Sequence, residues 1–350
     1  MFKRIFLMIL VATVLLGCNK ETTLTASVDS NFIAFDSPTT RAGLSDVQKD
    51  GFGVWACVSS IGSADVSYQP LLTNRKVTLQ DGLWNYGDPE RWISNSMFYF
   101  FAAYPYDAGF QEYRMEESDT KYTLYSSEIV ANGSDDTKDI LVATNITNTA
   151  VPNYSTTVPL TFEHLLTKVN VKVAQNFGAD PDFNYYVTGV TIRKVKTNDY
   201  DAEMGAIYGN GSYFCLPYNG QNIRGWDFEN ATQTILKKEY HTPMILRNVG
   251  AADPTVILSV WGDGLMLIPQ EIAAQTVEIV IDYIYDVSVD DDYTDGTPKQ
   301  AKGILPATEW EPGKIINYTL SISNTTIITI DQPTIESWGS PQTGGTIIIK

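Results

Sequence analysis

Apolar and polar side chains alternate through long stretches of the chain, the period-two pattern of strands whose successive side chains point to opposite faces of a sheet. The clearest runs are FGVWACV (52–58), MFYFFAAYPY (97–106), KVNVKVA (168–174), YYVTGVTIRKV (185–195), TVILSVWG (255–262), TVEIVIDYIYDV (276–287) and INYTLSIS (316–323). All are rich in β-branched and aromatic residues, which suit a pleated surface. In TVEIVIDYIYDV the alternation puts Val277, Ile279, Ile281, Tyr283, Tyr285 and Val287 on one face. Turn chemistry separates the runs, at YGNGSY, VANGSDD, DDDYTDGTP and WEPGK, with GNG (209–211) reading as a hairpin turn. Only PLTFEHLLTKV (159–169) and WDFENATQTILKKEYH (226–241) carry a helical hint. Many short strands with little helix predict an all-β chain built as sandwiches rather than a parallel α/β sheet. A length of 350 residues suits about two domains. The polar, proline-containing stretch 148–158 is the expected seam, giving an N-terminal domain at 42–155 and a C-terminal domain at 156–350.

The first residues break this pattern. MFKRIFLMILVATVLLGCNK carries Lys3 and Arg4, an apolar run over 5–16, and then Leu-Leu-Gly-Cys. Those are the parts of a secretory signal, and the run is shorter than the ~20 residues of a spanning helix. The ending resembles the lipobox of bacterial lipoproteins, which implies a signal peptide at 1–17, acylation of Cys18 and an outer-membrane anchor through that lipid. The other reading is an ordinary signal with an incidental cysteine. Each buried methylene contributes about 0.8 kcal/mol, so several acyl chains on one residue hold firmly to a bilayer. Lys20 and Glu21, just beyond, loosely resemble the charged signals of surface-exported lipoproteins.

Charge narrows the partners. The chain has 41 acidic against 24 basic residues and a formal charge of −17; loss of Lys3 and Arg4 with the signal makes it more acidic still. Nucleic acid is excluded as a partner, because its phosphates need a basic surface, while the charge favours solubility outside the cell. With Cys18 acylated, only Cys57 and Cys215 remain, too few for a disulfide framework. They either pair or stay as buried free thiols. Two histidines, His164 and His241, are too few for a multi-histidine metal site.

Candidate chemistry is sparse. His164 has no G-x-S-x-G elbow with it and reads as a packed or hydrogen-bonded residue, whereas His241 reads as a surface turn residue. Asp290, Asp291, Asp292 and Asp295 before Gly296 lack the spacing and terminal Glu of a calcium loop and read as a solvated loop. No phosphate-binding loop is present and no cofactor is expected. Nothing local points to the paired carboxylates of a glycosidase. The 20 Tyr and 7 Trp residues read first as core, and second as an exposed strip that stacks on sugars.

Several weak motifs, taken in order, resemble the fimbrillins, the lipoprotein-precursor subunits of type V pili. They are the lipobox at Cys18, TTRAG (39–43), FGVWACV, and GLWNYGDPERWISNSMFYFFAAYPY with Trp84, Tyr86, Pro89, Trp92 and Tyr104-Pro105-Tyr106. DILVAT (139–144), VPLTFEHLLTKVNVKV, LMLIPQ (265–270) and WEPGKIINYTLSIS follow. The resemblance implies two transthyretin-like β-sandwich domains in tandem and no enzyme activity. It implies a pilus subunit that serves adhesion, moving from outer membrane to cell-surface fibre, with other pilus subunits as partners. It also implies an Arg-specific processing protease, whose cut falls after Arg41 and makes Ala42 the new N-terminus. Against it stands an anchored surface lipoprotein that binds glycans. The sequence names no receptor.

The leader segment 18–41 that such a cut removes has its own pattern. In TLTASVDSNFIAF (23–35), Leu24, Ala26, Val28, Phe32 and Ala34 fall on one face, with Thr23, Thr25, Ser27, Asp29 and Asn31 on the other. This predicts a half-buried strand that completes a sheet in the precursor. Its removal is expected to expose unpaired backbone groups and a groove, which a neighbour's strand fills by β-augmentation. Four or five apolar side chains at ~1.5–3 kcal/mol each give about 6–15 kcal/mol before ordering costs. The expected donor is the C-terminal tail, where Ile347, Ile348 and Ile349 follow Gly344 and Gly345; the alternative is an ordinary last strand at home.

Overall fold

The computed structural model describes residues 31–338 apart from 37–38, 41–43, 63–66, 115–121, 127, 132–136, 176–183, 199–200, 248–257, 263, 287–295 and 323–327. Within these the chain is all-β, organised as β-sandwiches, with one seven-residue helix, Leu44–Asp50. That helix stops at Gly51, whose φ of 76° is left-handed and where an added Cβ would sit 2.4 Å from the Val77 carbonyl oxygen. A glycine is therefore required there.

The first sandwich is built on a seven-stranded sheet. Its order is Thr39–Thr40, Thr161–His164, Leu141–Asn148, Ser96–Tyr104, Phe52–Ser60, Gln69–Gln80 and Leu83–Asn85. The central strands are buried on both faces, so their two alternating sets feed two different cores. Phe52, Val54 and Ala56, with Phe98, Phe100 and Ala102, pack into one core. Trp55 and Cys57, with Tyr99, Phe101 and Ala103, pack into the other. The second core is closed by a sheet containing Phe110–Arg114, Tyr122–Ser126, Asn210–Tyr218 and Gln221–Asp227.

The second sandwich places Thr167–Gln175, parallel to Lys314–Ile322, opposite a sheet ordered Leu236–Arg247, Asn184–Lys194, Val277–Asp286 and Thr297–Ile304. Its core joins Val169, Val171 and Val173 to Val190, Ile192, Val277, Ile279, Ile281 and Tyr283, the face expected from the alternation at the described positions. Across that sheet the buried guanidinium of Arg193 donates to Glu278 Oε1 at 2.7 Å and to Glu203. A charge buried this far needs such partners.

The expected seam at 155/156 does not coincide with a change of sheet. Thr157–Val158 and Thr161–His164 still pair within the first half, and Asn210–Tyr218 returns from the second half to pair with Tyr122–Ser126. Local polarity marks a loop, whereas sheet membership is set by pairing between distant segments.

Four local expectations are corrected. GNG is no hairpin turn: strands Ile207–Tyr208 and Asn210–Tyr218 run on through Gly209, and the turn is Asn219-Gly220, both left-handed at φ 47° and 76°. The stretch 226–241 holds strand ends and a turn, not a helix; it includes the start of the edge strand Leu236–Arg247, where the polar residues that suggested a helix face solvent and Lys237 pairs with Glu239 at 2.7 Å. His241 lies exposed within that strand rather than in a turn. In PLTFEHLLTKV, the strands Thr161–His164 and Thr167–Gln175 are joined by buried Leu165 and Leu166 as the chain passes between sandwiches.

Cys57 and Cys215 are both free and buried. Burial pushes the Cys215 thiol up to about 12, the Tyr68 and Tyr240 phenols up to about 12, and Tyr213 and Tyr318 above the usual phenol range. The folded protein thus holds these protons more tightly than the unfolded chain, whose ordinary values are 9.0 for the thiol and 10.0 for the phenols. Their contribution is complete below about pH 9 and is lost as pH rises towards about 12. Urea midpoints measured from pH 7 to 11.5 are expected to stay level in this respect up to about pH 9 and then fall steadily; a midpoint that rises above pH 10 would contradict the burial of these groups.

Candidate functional site

One wall of the first sandwich is made by the segment that precedes the helix. Residues 31–36 run between two strips of the same domain. On one side the Ile33 amide donates to the Glu90 carbonyl at 2.8 Å, and the Trp92 amide donates to the Asn31 carbonyl at 3.1 Å. On the other, Ala34–Phe35 pairs in parallel with Thr157–Val158, and the Asp36 amide donates to the Val158 carbonyl at 3.0 Å. Thr39–Thr40 continue the same path as the outer strand beside Thr161–Phe162. The segment is a strand in function as well as in pattern: its backbone groups are satisfied by the body.

The side chains follow a phase opposite to the expected one. Ile33 and Phe35 are the buried pair, 2% and 5% exposed, whereas Phe32 and Ala34 are only half-buried. Phe35 enters an aromatic cage, meeting Tyr86, Phe100 and Phe52 edge-on with ring centroids 5.3, 6.1 and 6.3 Å away. Edge-to-face contacts of this kind add about 0.5–1.5 kcal/mol beyond area burial. Phe32 turns outward under the Arg91 guanidinium, 4.4 Å from its ring centre. The run FIAF is apolar on both faces, so alternation alone cannot fix its phase. The polar Ser30, on the face expected to be apolar, was the available hint.

Two residues missed as site residues tie the segment down. Tyr86, buried, donates from its hydroxyl to the Ile33 carbonyl at 2.7 Å and accepts from the Glu90 amide at 3.1 Å. Burial raises its phenol above the ordinary value, which keeps it a donor. Trp92 packs edge-on against Phe98, Tyr154 and Phe100, and its indole N–H donates to the Thr156 carbonyl at 3.2 Å. It thereby joins the two strips that flank the segment. Cys18, Leu24, Ala26, Val28, Arg41, Ala42, Ile347, Ile348 and Ile349 lie outside the described residues. Among the described residues no group of three or more His, Cys, Asp or Glu side chains is placed to hold a metal, and no helix is long and apolar enough to cross a membrane. The arrangement is a strand laid over an aromatic core and bonded on both sides.

Comparison with known proteins follows the same body. A family model described as fimbrillin-like matches residues 40–338. A fimbrial protein from Bacteroides vulgatus shares the fold at a TM-score of 0.62 and 17% identity, over 88% of this chain and 99% of that one. The C-terminally truncated tip fimbrial protein Mfa3 from Porphyromonas gingivalis aligns over 88% of this chain and 99% of its own, at 7% identity and a TM-score of 0.34, too low to add to the argument. No curated protein matches the chain.

The inverted phase makes a sharp test. Phe35→Ala is expected to destabilise the full chain by about 3–5 kcal/mol, the usual loss for an emptied phenylalanine site. Phe32→Ala is expected to cost about 1 kcal/mol or less, the size of an exposed cation–π contact. Urea unfolding of the two variants checks the order, and a larger loss at Phe32 would reverse the assignment of faces.

Proposed function

The chain belongs to the fimbrillin-like family, and on that premise we propose that it is a structural subunit of a cell-surface pilus, made as a Cys18-acylated outer-membrane precursor, cut after Arg41 and polymerised by strand exchange. The observation that carries the reading is the seat of Ile33 and Phe35 in the core of the first sandwich, on a segment that the cut at Arg41 would detach. Loss of the segment uncovers two large apolar sites worth about 1.5–3 kcal/mol each. It also strips partners from the Glu90 and Val158 carbonyls and the Trp92 amide. An uncovered sheet edge over an apolar slot is a template for another strand.

The limits of the family match agree with this division. It begins at Thr40, one residue before Arg41, and ends at Trp338, so all of the leader but its last two residues, and the last twelve residues of the chain, fall outside it. The proposed donor is the tail with Ile347, Ile348 and Ile349. Ile347 and Ile349 stand two apart and share a face of an extended strand, the same spacing as Ile33 and Phe35 in the site they would refill. Ile348 would face outward, as Ala34 does. Before the cut, the tethered leader occupies the slot at high effective concentration and keeps the precursor monomeric. The body is a scaffold in this reading, with adhesion as the service of the assembled fibre and no reaction of its own.

Treatment of the purified full chain with an Arg-specific protease at low dose is expected to give an N-terminus at Ala42 and a ladder of oligomers on non-denaturing gels. Arg41→Ala should keep its leader and stay monomeric. Ile347→Asp with Ile349→Asp should be cut normally yet form no ladder, while Ile348→Asp should polymerise. A trimmed wild-type protein that stays monomeric overturns strand exchange.

A further inference from the structure

A second feature, away from the leader slot, lies where the two sandwiches meet. A cleft of about 780 Å³ opens there between the end of the helix, the end of Ser96–Tyr104, the stretch before Leu141, and Trp338. Its size is that of a small-molecule site, and domain junctions are where such sites gather. We infer that this cleft binds a neutral saccharide, giving the subunit a ligand site of its own.

The wall is built rather than incidental. His164, 3% exposed, holds Asp139 through Nδ1 at 2.8 Å and lies flat on the Trp338 indole, with ring centroids 4.0 Å apart and planes within 6°. Trp338 is fixed in turn by its amide, which donates to the Gly313 carbonyl at 2.8 Å, and by the Lys168 ammonium 5.8 Å from its ring centre. On the facing wall the Tyr104 hydroxyl donates to Asp50 at 3.4 Å, and the Lys76 ammonium stands 5.3 Å from the centre of the Tyr106 ring. The first sandwich supplies most of this surface and the second closes it with Trp338.

Hydrogen-bonding capacity is left over. The Nε2 of His164 is buried without a partner among the described residues, an uncommon condition for a buried polar atom. Lys76, Lys138 and Asp107 also line the cleft, and none of them makes an ion pair among the described residues. Both cations and carboxylates therefore line one space. A ligand with a net charge meets a like charge in either orientation, and the chain's overall charge of −17 weighs further against an anion. A polyol suffers neither penalty. Each hydroxyl both donates and accepts, so it can accept from Lys76 or Lys138 while donating to Asp107. Hydrogen bonds to charged partners are the stronger kind. The Tyr104 and Tyr106 rings supply the apolar body against which a sugar's C–H face packs.

The experiment uses the full chain with lactose, maltotriose and mannotriose as neutral probes and 3′-sialyllactose as the charged one, read by isothermal titration and saturation-transfer NMR. At least one neutral probe is expected to saturate with a dissociation constant of about 1 mM or tighter. Asp107→Asn and Lys138→Gln are each expected to weaken it by about tenfold with unchanged unfolding midpoints. Trp338→Phe, which keeps a ring over His164, is expected to retain binding. Saturation by 3′-sialyllactose alone, no saturation by any probe, or affinity indifferent to both substitutions would overturn the inference. Saccharide binding is read on the uncut chain and ladder formation on the cut one, so failure of either leaves the other standing.

Discussion

The first sandwich depends on a contact between its core and a strand that precedes it in the chain. Ile33 and Phe35 fill sites lined by Phe52, Tyr86, Phe100 and their neighbours, and the backbone between them is bonded on both sides. A core normally gains from having all its parts in one uninterrupted unit. Here a wall stands on the far side of Arg41 from the body, so in the proposed reading the cut of a single peptide bond would leave the core to be closed by a strand from outside. Every functional statement about the leader follows from that arrangement.

The rest of the body is arranged so that opening this wall need not unravel the fold. The central strands carry a second core on their other face, sealed by a hairpin, Asn210–Tyr218 with Gln221–Asp227, that comes from the second half of the chain. Tyr213 and Cys215 of that hairpin pack with Trp55, Phe110 and Leu124. The interlock lets the second half of the chain complete a core of the first sandwich. A fibre under tension benefits from that geometry, because force entering one sandwich is carried into the next through paired strands and packed rings. The fixed junction is also what gives the cleft at His164 a stable shape.

Much of the fold was legible in the sequence, and the reasons differ by element. FGVWACV reads as strand because it is apolar on both faces, and a strand sandwiched between two cores has to be. TVEIVIDYIYDV alternates because that strand borders one core, and its phase at Val277, Ile279, Ile281 and Tyr283 came out as expected. The leader was legible as a strand but not in phase, since Phe32 and Ile33 are both apolar and the choice is made by Tyr86 and Val158, more than fifty and more than a hundred residues away. The interlocking hairpin was illegible for a related reason. Its alternation and its Asn-Gly turn announce two strands, whereas nothing local says which sheet they join. The stretch 226–241 misled because an edge strand carries the charged residues that also make a helix soluble.

Contact energy alone cannot drive the proposed polymer. The leader and a donor tail would fill the same slot with the same kinds of group: two apolar side chains two residues apart, and a ladder of backbone hydrogen bonds. In that slot Ile347 and Ile349 would bury no more than Ile33 and Phe35 do, and isoleucine would forgo the edge-on contacts Phe35 makes with three rings. A tethered strand at high effective concentration would therefore hold its place against an untethered rival. The cut changes the terms of that competition rather than the quality of either fit. In the proposed reading a severed leader would dissociate and dilute, whereas each donor would remain joined to a large body already held in the growing chain. The direction of assembly would then come from hydrolysis of one bond beside Arg41, and the persistence of the fibre from the displaced strand having no tether by which to return.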